Sequence, residues 1–357
     1  MKENEIKLFK AIDELNDKEA LSLIELGVNL NAQNEEGESF LMRAAKTENW
    51  PLVVQLLLKG ADLNLQNMKG ETILNQAVNK GYETFSLYLI PRMKNLNTAD
   101  WEKNKTPLMK AIETGQHKTA LKLIENGADL SKQDKEGNSA LHLAIYYEQK
   151  EIIDALIKKG ADVNLKDAAG RTPLIKNVLF GNCEIDDLLI KNGAKIDEKD
   201  YSEKTALIHA IETGIFSHVF YLVANGANVN QTDSMGETVF MKAVKSNKIK
   251  TVKLLLANGV NVNEQDKRGR TALMFAAKAN FAYLTEMLLR HRANTYLRDC
   301  DGKDAWGYAC SYGAKSVRGV MKKIQQESKS NGRRDILATH PSFSRKKLFM
   351  KAQNEKN

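Results

Sequence analysis

The chain of 357 residues predicts an all-α solenoid built of helix-turn-helix units joined by β-hairpin loops, and three observations carry that prediction. Glycines recur at Gly37, Gly70, Gly137, Gly170, Gly236, Gly269 and Gly302, on a 33-residue grid broken once by a single extra residue. A second ladder, Gly27, Gly60, Gly127, Gly160, Gly193, Gly226 and Gly259, keeps a fixed phase to the first. Leu41, Leu74, Leu108, Leu141, Leu174, Leu207, Phe240 and Leu273 form a third, each followed three residues later by alanine except at Asn177. Self-similarity at this period belongs to stacked-repeat proteins, whose units bury their apolar faces against their neighbours alone.

Each element has a local cause. Ser39, Thr72, Thr106, Ser139, Thr172, Thr205, Thr238 and Thr271 stand where a side-chain oxygen accepts from free amides at a helix start. Pro107 and Pro173 suit the first helical position. About nine residues on, Gly81, Gly115, Gly181 and Gly214 are expected in the left-handed conformation that ends a helix. The second helix closes on phrases such as Gly60-Ala61-Asp62-Leu63-Asn64, and an extended link leads to the next unit.

These residues resemble the ankyrin repeat, whose pattern runs Asp-x-x-Gly-x-Thr-Pro-Leu-His-x-Ala and ends Leu-Leu-x-x-Gly-Ala-Asp-x-Asn. The resemblance covers residues 1 to about 324, with hairpin-led units starting at Asn34, Asn67, Trp101, Asp134, Asp167, Asp200, Asp233, Asp266 and Asp299. A truncated first unit brings the number to ten. The first and last units read as caps, because terminal repeats need a polar outer side. The third unit departs from the pattern, since Pro91 replaces a helix-interior residue and is expected to shorten or bend its second helix.

The net charge of +8 is unevenly spread. Residues 325–357 hold eight Lys/Arg against three acidic side chains, which leaves the array with 45 basic and 42 acidic groups. That balance argues against a dedicated nucleic-acid groove on the array. Cys183, Cys300 and Cys310 are too few and too scattered for a disulfide framework, and no Cys/His pair has zinc-ligand spacing. The N-terminal residues lack the apolar stretch of a signal peptide, and no run is apolar enough to span a membrane. The expected setting is the cytoplasm, with translocation into a host cell if the protein is a bacterial effector.

The sequence offers no phosphate-binding glycine loop, no His-Glu-x-x-His and no Gly-x-Ser-x-Gly, and its six histidines are dispersed. His142 occupies the position where the resemblance implies support of hairpin and helix start. No catalytic residue, cofactor, metal or small-molecule substrate is expected. The resemblance implies instead that hairpin tips and first-helix positions line one concave face that binds a protein partner. In those positions stand Trp101, Tyr146, Tyr147, Leu179, Phe180, Tyr201 and Met235, joined on the late tips by Lys267, Arg268 and Arg270. Aromatic side chains gain little by facing water and much by facing a partner. Tyr146, Tyr147, Leu179 and Phe180, from adjacent units at matching phase, are expected side by side. The early tips carry Glu35, Glu36 and Glu38, so an extended partner would meet opposite charge at the two ends.

The expected protein is therefore a monomeric, non-catalytic scaffold or adaptor. The tail 325–357 reads as a basic, disordered end, with Ser344–Lys351 as the segment able to engage nucleic acid or an anionic membrane. A tail-directed module and a secreted bacterial effector acting on host proteins are the alternative readings.

Overall fold

The computed structural model describes residues 2–181 and 183–330. Among them are twenty α-helices in ten successive pairs and one 3₁₀ turn, with no strand longer than a single bridge. The first-position helices are α1 (Glu3–Asp13), α3 (Phe40–Lys46), α5 (Ile73–Lys80), α7 (Pro107–Glu113), α9 (Ala140–Tyr146), α11 (Pro173–Phe180), α13 (Ala206–Thr213), α15 (Val239–Lys245), α17 (Ala272–Lys278) and α19 (Ala305–Ser311). Their partners are α2 (Asp17–Glu25), α4 (Trp50–Leu58), α6 (Glu83–Leu89), α8 (His117–Glu125), α10 (Lys150–Lys158), α12 (Cys183–Lys191), α14 (Phe216–Ala224), α16 (Ile249–Ala257), α18 (Ala282–Arg290) and α20 (Lys315–Ser330). Contact density divides the chain into two compact units, Met1–Gly181 with Lys191–Ala194 and Asn182–Ile190 with Lys195–Asn357. The repeat pattern itself runs on through this point.

Short helices form where the sequence places their caps. Thr106 Oγ1 accepts from the Met109 amide, Thr172 Oγ1 from Ile175 and Thr238 Oγ1 from Met241, and Pro107 and Pro173 open their helices. Leu41, Leu74, Leu108, Leu141, Leu174, Leu207, Phe240 and Leu273 are all at most 1% exposed, each contributing roughly 1.5–3 kcal/mol of burial. At the end of the first helix Gly81, Gly115 and Gly214 are left-handed as expected, but Gly181 is extended, at φ −105° and ψ −162°. A Cβ there would stand 1.8 Å from Asn177 Oδ1, so Gly181 makes room for the one side chain that breaks the alanine ladder. Pro91 ends α6 after seven residues in a 3₁₀ turn, Ile90–Arg92, where α4 and α8 run for nine.

The fourth unit starts one residue earlier than the sequence suggests. Asp100, not Trp101, is the hairpin residue, its carboxylate accepting from the amides of Lys103 at 2.6 Å and Lys105 at 3.2 Å. The extra residue lies within this tip, and Asn104 takes the left-handed conformation at φ 55° that glycine supplies elsewhere. Asn tolerates that region better than other L-residues. The expected end of the array at residue 324 falls inside α20, which continues to Ser330; residues 331–357, with the Ser344–Lys351 segment, lie outside the described residues.

Neighbouring tips are tied by their backbones. The amides of Met68, Trp101, Lys135 and Ala168 each donate to a carbonyl of the preceding tip at 2.9–3.0 Å, and in the second compact unit Lys267 and Cys300 do so at 3.2 and 2.9 Å. This spacing is why the first glycine ladder exists. Gly137 has φ +74°, and a Cβ on it would stand 2.3 Å from the Ala168 amide nitrogen, whereas Gly127, at φ +82°, would meet nothing within 4 Å. Gly127→Ala is expected to cost about 1 kcal/mol, the left-handed penalty alone, and Gly137→Ala at least twice that because backbone must move. Urea denaturation of the two variants checks the difference; equal costs would show that the tips yield freely.

Candidate functional site

The first compact unit holds the clearest surface cluster. Tyr146 ends α9, Tyr147 caps it and Phe180 ends α11, so stacking α11 on α9 brings the three rings together. Tyr146 lies 5.0 Å from Tyr147 and 5.4 Å from Phe180 between ring centres, edge to face in both cases. Such pairs contribute about 0.5–1.5 kcal/mol beyond area burial. All three remain open to solvent, at 48%, 38% and 45% exposure. Leu179, expected beside them, is half-buried.

Beneath the rings is a residue the sequence reading passed over. Lys176 is buried, its ammonium 5.9 Å from the Tyr146 ring centre and 5.7 Å from that of Phe180. It donates to Asn138 Oδ1 at 3.1 Å and stands 3.8 Å from Asp167 Oδ2. Burial and the nearby Arg171 hold the Lys176 pKa below its ordinary value. Burial opposes ionisation of Asp167, but hydrogen bonds from the Arg171 side chain and backbone more than offset it, and the carboxyl stays below its usual range. Burial, with Glu113 nearby, raises the Tyr147 phenol. A signal for Lys176 was present: basic residues recur four places after the capping Ser or Thr, at Arg43, Lys110, Lys176, His209 and Lys242. Several reach back to a hairpin carboxylate, Arg43 to Glu38 at 3.2 Å, His209 to Asp200 at 2.7 Å and Lys242 to Asp233 at 2.8 Å.

The other expected site residues lie apart from this cluster. Trp101, 62% exposed, sits on its tip with the indole over Gly70, where a Cβ would stand 2.3 Å from Nε1. Tyr201 and Met235 are exposed tip residues of the second unit, as are Lys267 and Arg268. Arg270 is largely committed within its own hairpin, pairing with Asp266 at 2.6 Å and stacking 4.9 Å from the Phe275 ring centre. Of the histidines expected to converge on nothing, His209 and His218 each contact a single carboxylate, Asp200 and Asp186. Among the described residues no group of three His, Cys, Asp or Glu side chains could hold a metal, and no helix is long and apolar enough to cross a membrane.

Stacked helix pairs with bonded hairpin tips define a solenoid of helical repeats. A family model for ankyrin repeats, three copies long, matches residues 8–100, 41–134, 88–167, 165–233 and 240–330, so the chain belongs to the ankyrin-repeat family. Among solved structures it is similar to the ankyrin repeat domain of Bcl-3, described as a unique member of the IκB protein family. The two are 25% identical with a TM-score of 0.57, and the likeness covers 62% of this chain and 100% of that one. No curated protein sequence matches the chain. Ankyrin repeats are in general protein-protein interaction modules, typically without catalysis.

Proposed function

We propose that this protein is a non-catalytic scaffold, needing no cofactor, that binds another protein through the hairpin and first-helix face of its first compact unit. Tyr146, Tyr147 and Phe180 form the centre of contact. One observation carries the reading: three aromatic rings, already locked edge to face over a buried amine, are left about half-exposed. Rings held in place before binding lose little further freedom when a partner covers them. On the same unit the tip residue Trp101 would supply a further contact; Tyr201, Met235, Lys267, Arg268 and Arg270 belong to the second unit and would contact a partner there separately. The reading takes the protein as a cytoplasmic monomer.

Tyr147→Ala/Phe180→Ala is expected to weaken capture of the partner by about tenfold or more while the melting temperature stays nearly unchanged. Affinity capture with mass spectrometry on both chains, beside a thermal melt, checks this. Unchanged capture removes the cluster from the interface, and a large drop in melting temperature returns both rings to the core.

A further inference from the structure

The second-position helices of the first unit carry a surface that the aromatic cluster does not account for. Trp50, Val54 and Leu58 stand at i, i+4 and i+8 of α4, so they form one stripe along the helix. They are 36%, 51% and 74% exposed, and Tyr88 on α6, across the groove, is 42% exposed. The matching places on α10 are Lys150, Asp154 and Lys158, the last two joined as an ion pair, and on α18 they are Ala282, Glu286 and Arg290. On α10 and α18 this stripe is largely charged; on α4 it is apolar throughout, as it also is on α14 of the second compact unit, with Phe216, Phe220 and Ala224.

The groove between α4 and α6 has a volume of ≈ 630 Å³. Its walls are held in place. The Trp50 ring packs edge to face on Tyr82 at 5.0 Å and on Phe85 at 5.3 Å, and the Arg92 guanidinium lies 3.8 Å above the Tyr88 ring while bonding the Tyr88 carbonyl at 2.7 Å. Because Trp50 at the start of α4 meets Tyr82 and Phe85 at the start of α6, the two helices run parallel. Charge at the groove's ends is opposite. Glu48, which accepts from the Tyr82 hydroxyl at 2.9 Å, and Glu83 stand at the amino-terminal end; Lys59 and Arg92 stand at the carboxyl end.

We propose that this groove docks an amphipathic α-helix of a partner protein, lying antiparallel to α4 and α6. A helix favours acidic residues in its first turn and basic residues in its last, because of the backbone dipole. Only the antiparallel orientation sets such a first turn over Lys59 and Arg92 and such a last turn over Glu48 and Glu83. The nine residues of α4 extend about 13.5 Å, room for roughly two and a half turns of the partner. Its apolar side chains at i, i+3, i+4 and i+7 would fill the space between Trp50, Val54, Leu58 and Tyr88. This surface is distinct from the Tyr146 cluster and does not depend on it.

A fluorescein-labelled peptide of about 14 residues, with two glutamates first, leucines at helical spacing and two lysines last, tests the inference against a twin with the charges exchanged. With the full chain at low ionic strength, the first peptide is expected to bind about tenfold tighter than its twin. Val54→Lys/Leu58→Glu is expected to weaken it by at least about tenfold with the melting temperature kept, since both side chains face water. Tyr147→Ala/Phe180→Ala is expected to leave peptide binding unaltered. Equal affinity for both peptides, binding of neither, or indifference to Val54→Lys/Leu58→Glu overturns the proposal. It is also overturned if that variant abolishes a dimer seen by sedimentation, which makes a second copy the occupant. Loss in the variant of binding to phosphatidylcholine/phosphatidylserine vesicles makes the occupant a lipid surface, and overturns it equally.

Discussion

Asp186→Ala is expected to destabilise the second compact unit by roughly 3 kcal/mol, the cost of leaving a buried hydrogen-bonding group without its partner. Asp186 on α12 is 0% exposed and His218 on α14 is 1% exposed, and Asp186 Oδ2 contacts His218 Nδ1. Without the carboxylate the imidazole remains enclosed among the second helices, where an unmatched polar group carries its full desolvation cost. The converse substitution sharpens the test. Asp186→Leu/His218→Leu removes both polar groups and is expected to lie within about 1 kcal/mol of the parent, because apolar replacement of a buried pair is often neutral. Repeat arrays unfold in segments, so hydrogen exchange in α12 and α14 is the better probe. Exchange in Asp186→Ala as slow as in the parent would show that the pair contributes little.

Acidification is expected to remove about 3 kcal/mol of stability through His142. Its ring is fully buried, with Nδ1 2.9 Å from Ser139 Oγ and Nε2 3.1 Å from the Arg171 carbonyl. Nε2 therefore carries the proton and donates to Arg171, while Nδ1 accepts, so the neutral ring satisfies both neighbours. Burial opposes the cation and pushes the His142 pKa down to about 4, from the ordinary 6.5. As pH falls below 6.5 the unfolded chain takes up this proton first, so the stability present above pH 6.5 declines until pH passes through about 4 and then levels off. His142→Asn is the informative comparison, because Asn75 holds the matching position on α5, accepting from Thr72 Oγ1 at 2.7 Å and donating to the Thr98 carbonyl at 3.0 Å. That variant should keep the cap and lose the His142 share of the acid-dependent decline. Identical pH profiles for parent and variant would assign that decline to other groups.

Much of the fold was legible in short-range pattern. A capping Thr, a proline at the first helical position or a glycine ending a helix acts within one turn, and Pro91 shortened α6 as its chemistry requires. The misreadings fell where two local rules competed. Gly181 resembled a left-handed cap, but the Asn177 side chain beside it holds a different backbone. Trp101 was taken for the hairpin residue because the one-residue insertion hides the register that Asp100 reveals through its amide bonds.

The candidate site was half legible. Matching phase brought Tyr146 beside Phe180 as expected, and basic residues recurring four places after the caps marked Lys176, but that recurrence does not say that it lies beneath the rings, 38 residues from its partner Asn138. The stripe Trp50, Val54 and Leu58 was equally readable as spacing, but α4 could have been apolar all round simply by being buried on every side.

From residue order alone follow the repeat, the helix boundaries and the leucine core, since these depend on neighbours within one unit. Stacking had to be seen to know which side chains meet across some thirty residues, Asp186 with His218 and Lys176 with Asn138, and which apolar faces stay uncovered. The reason is physical: backbone preference acts over one helical turn, whereas pairing and exposure depend on how far, and at what angle, one unit rests upon the next.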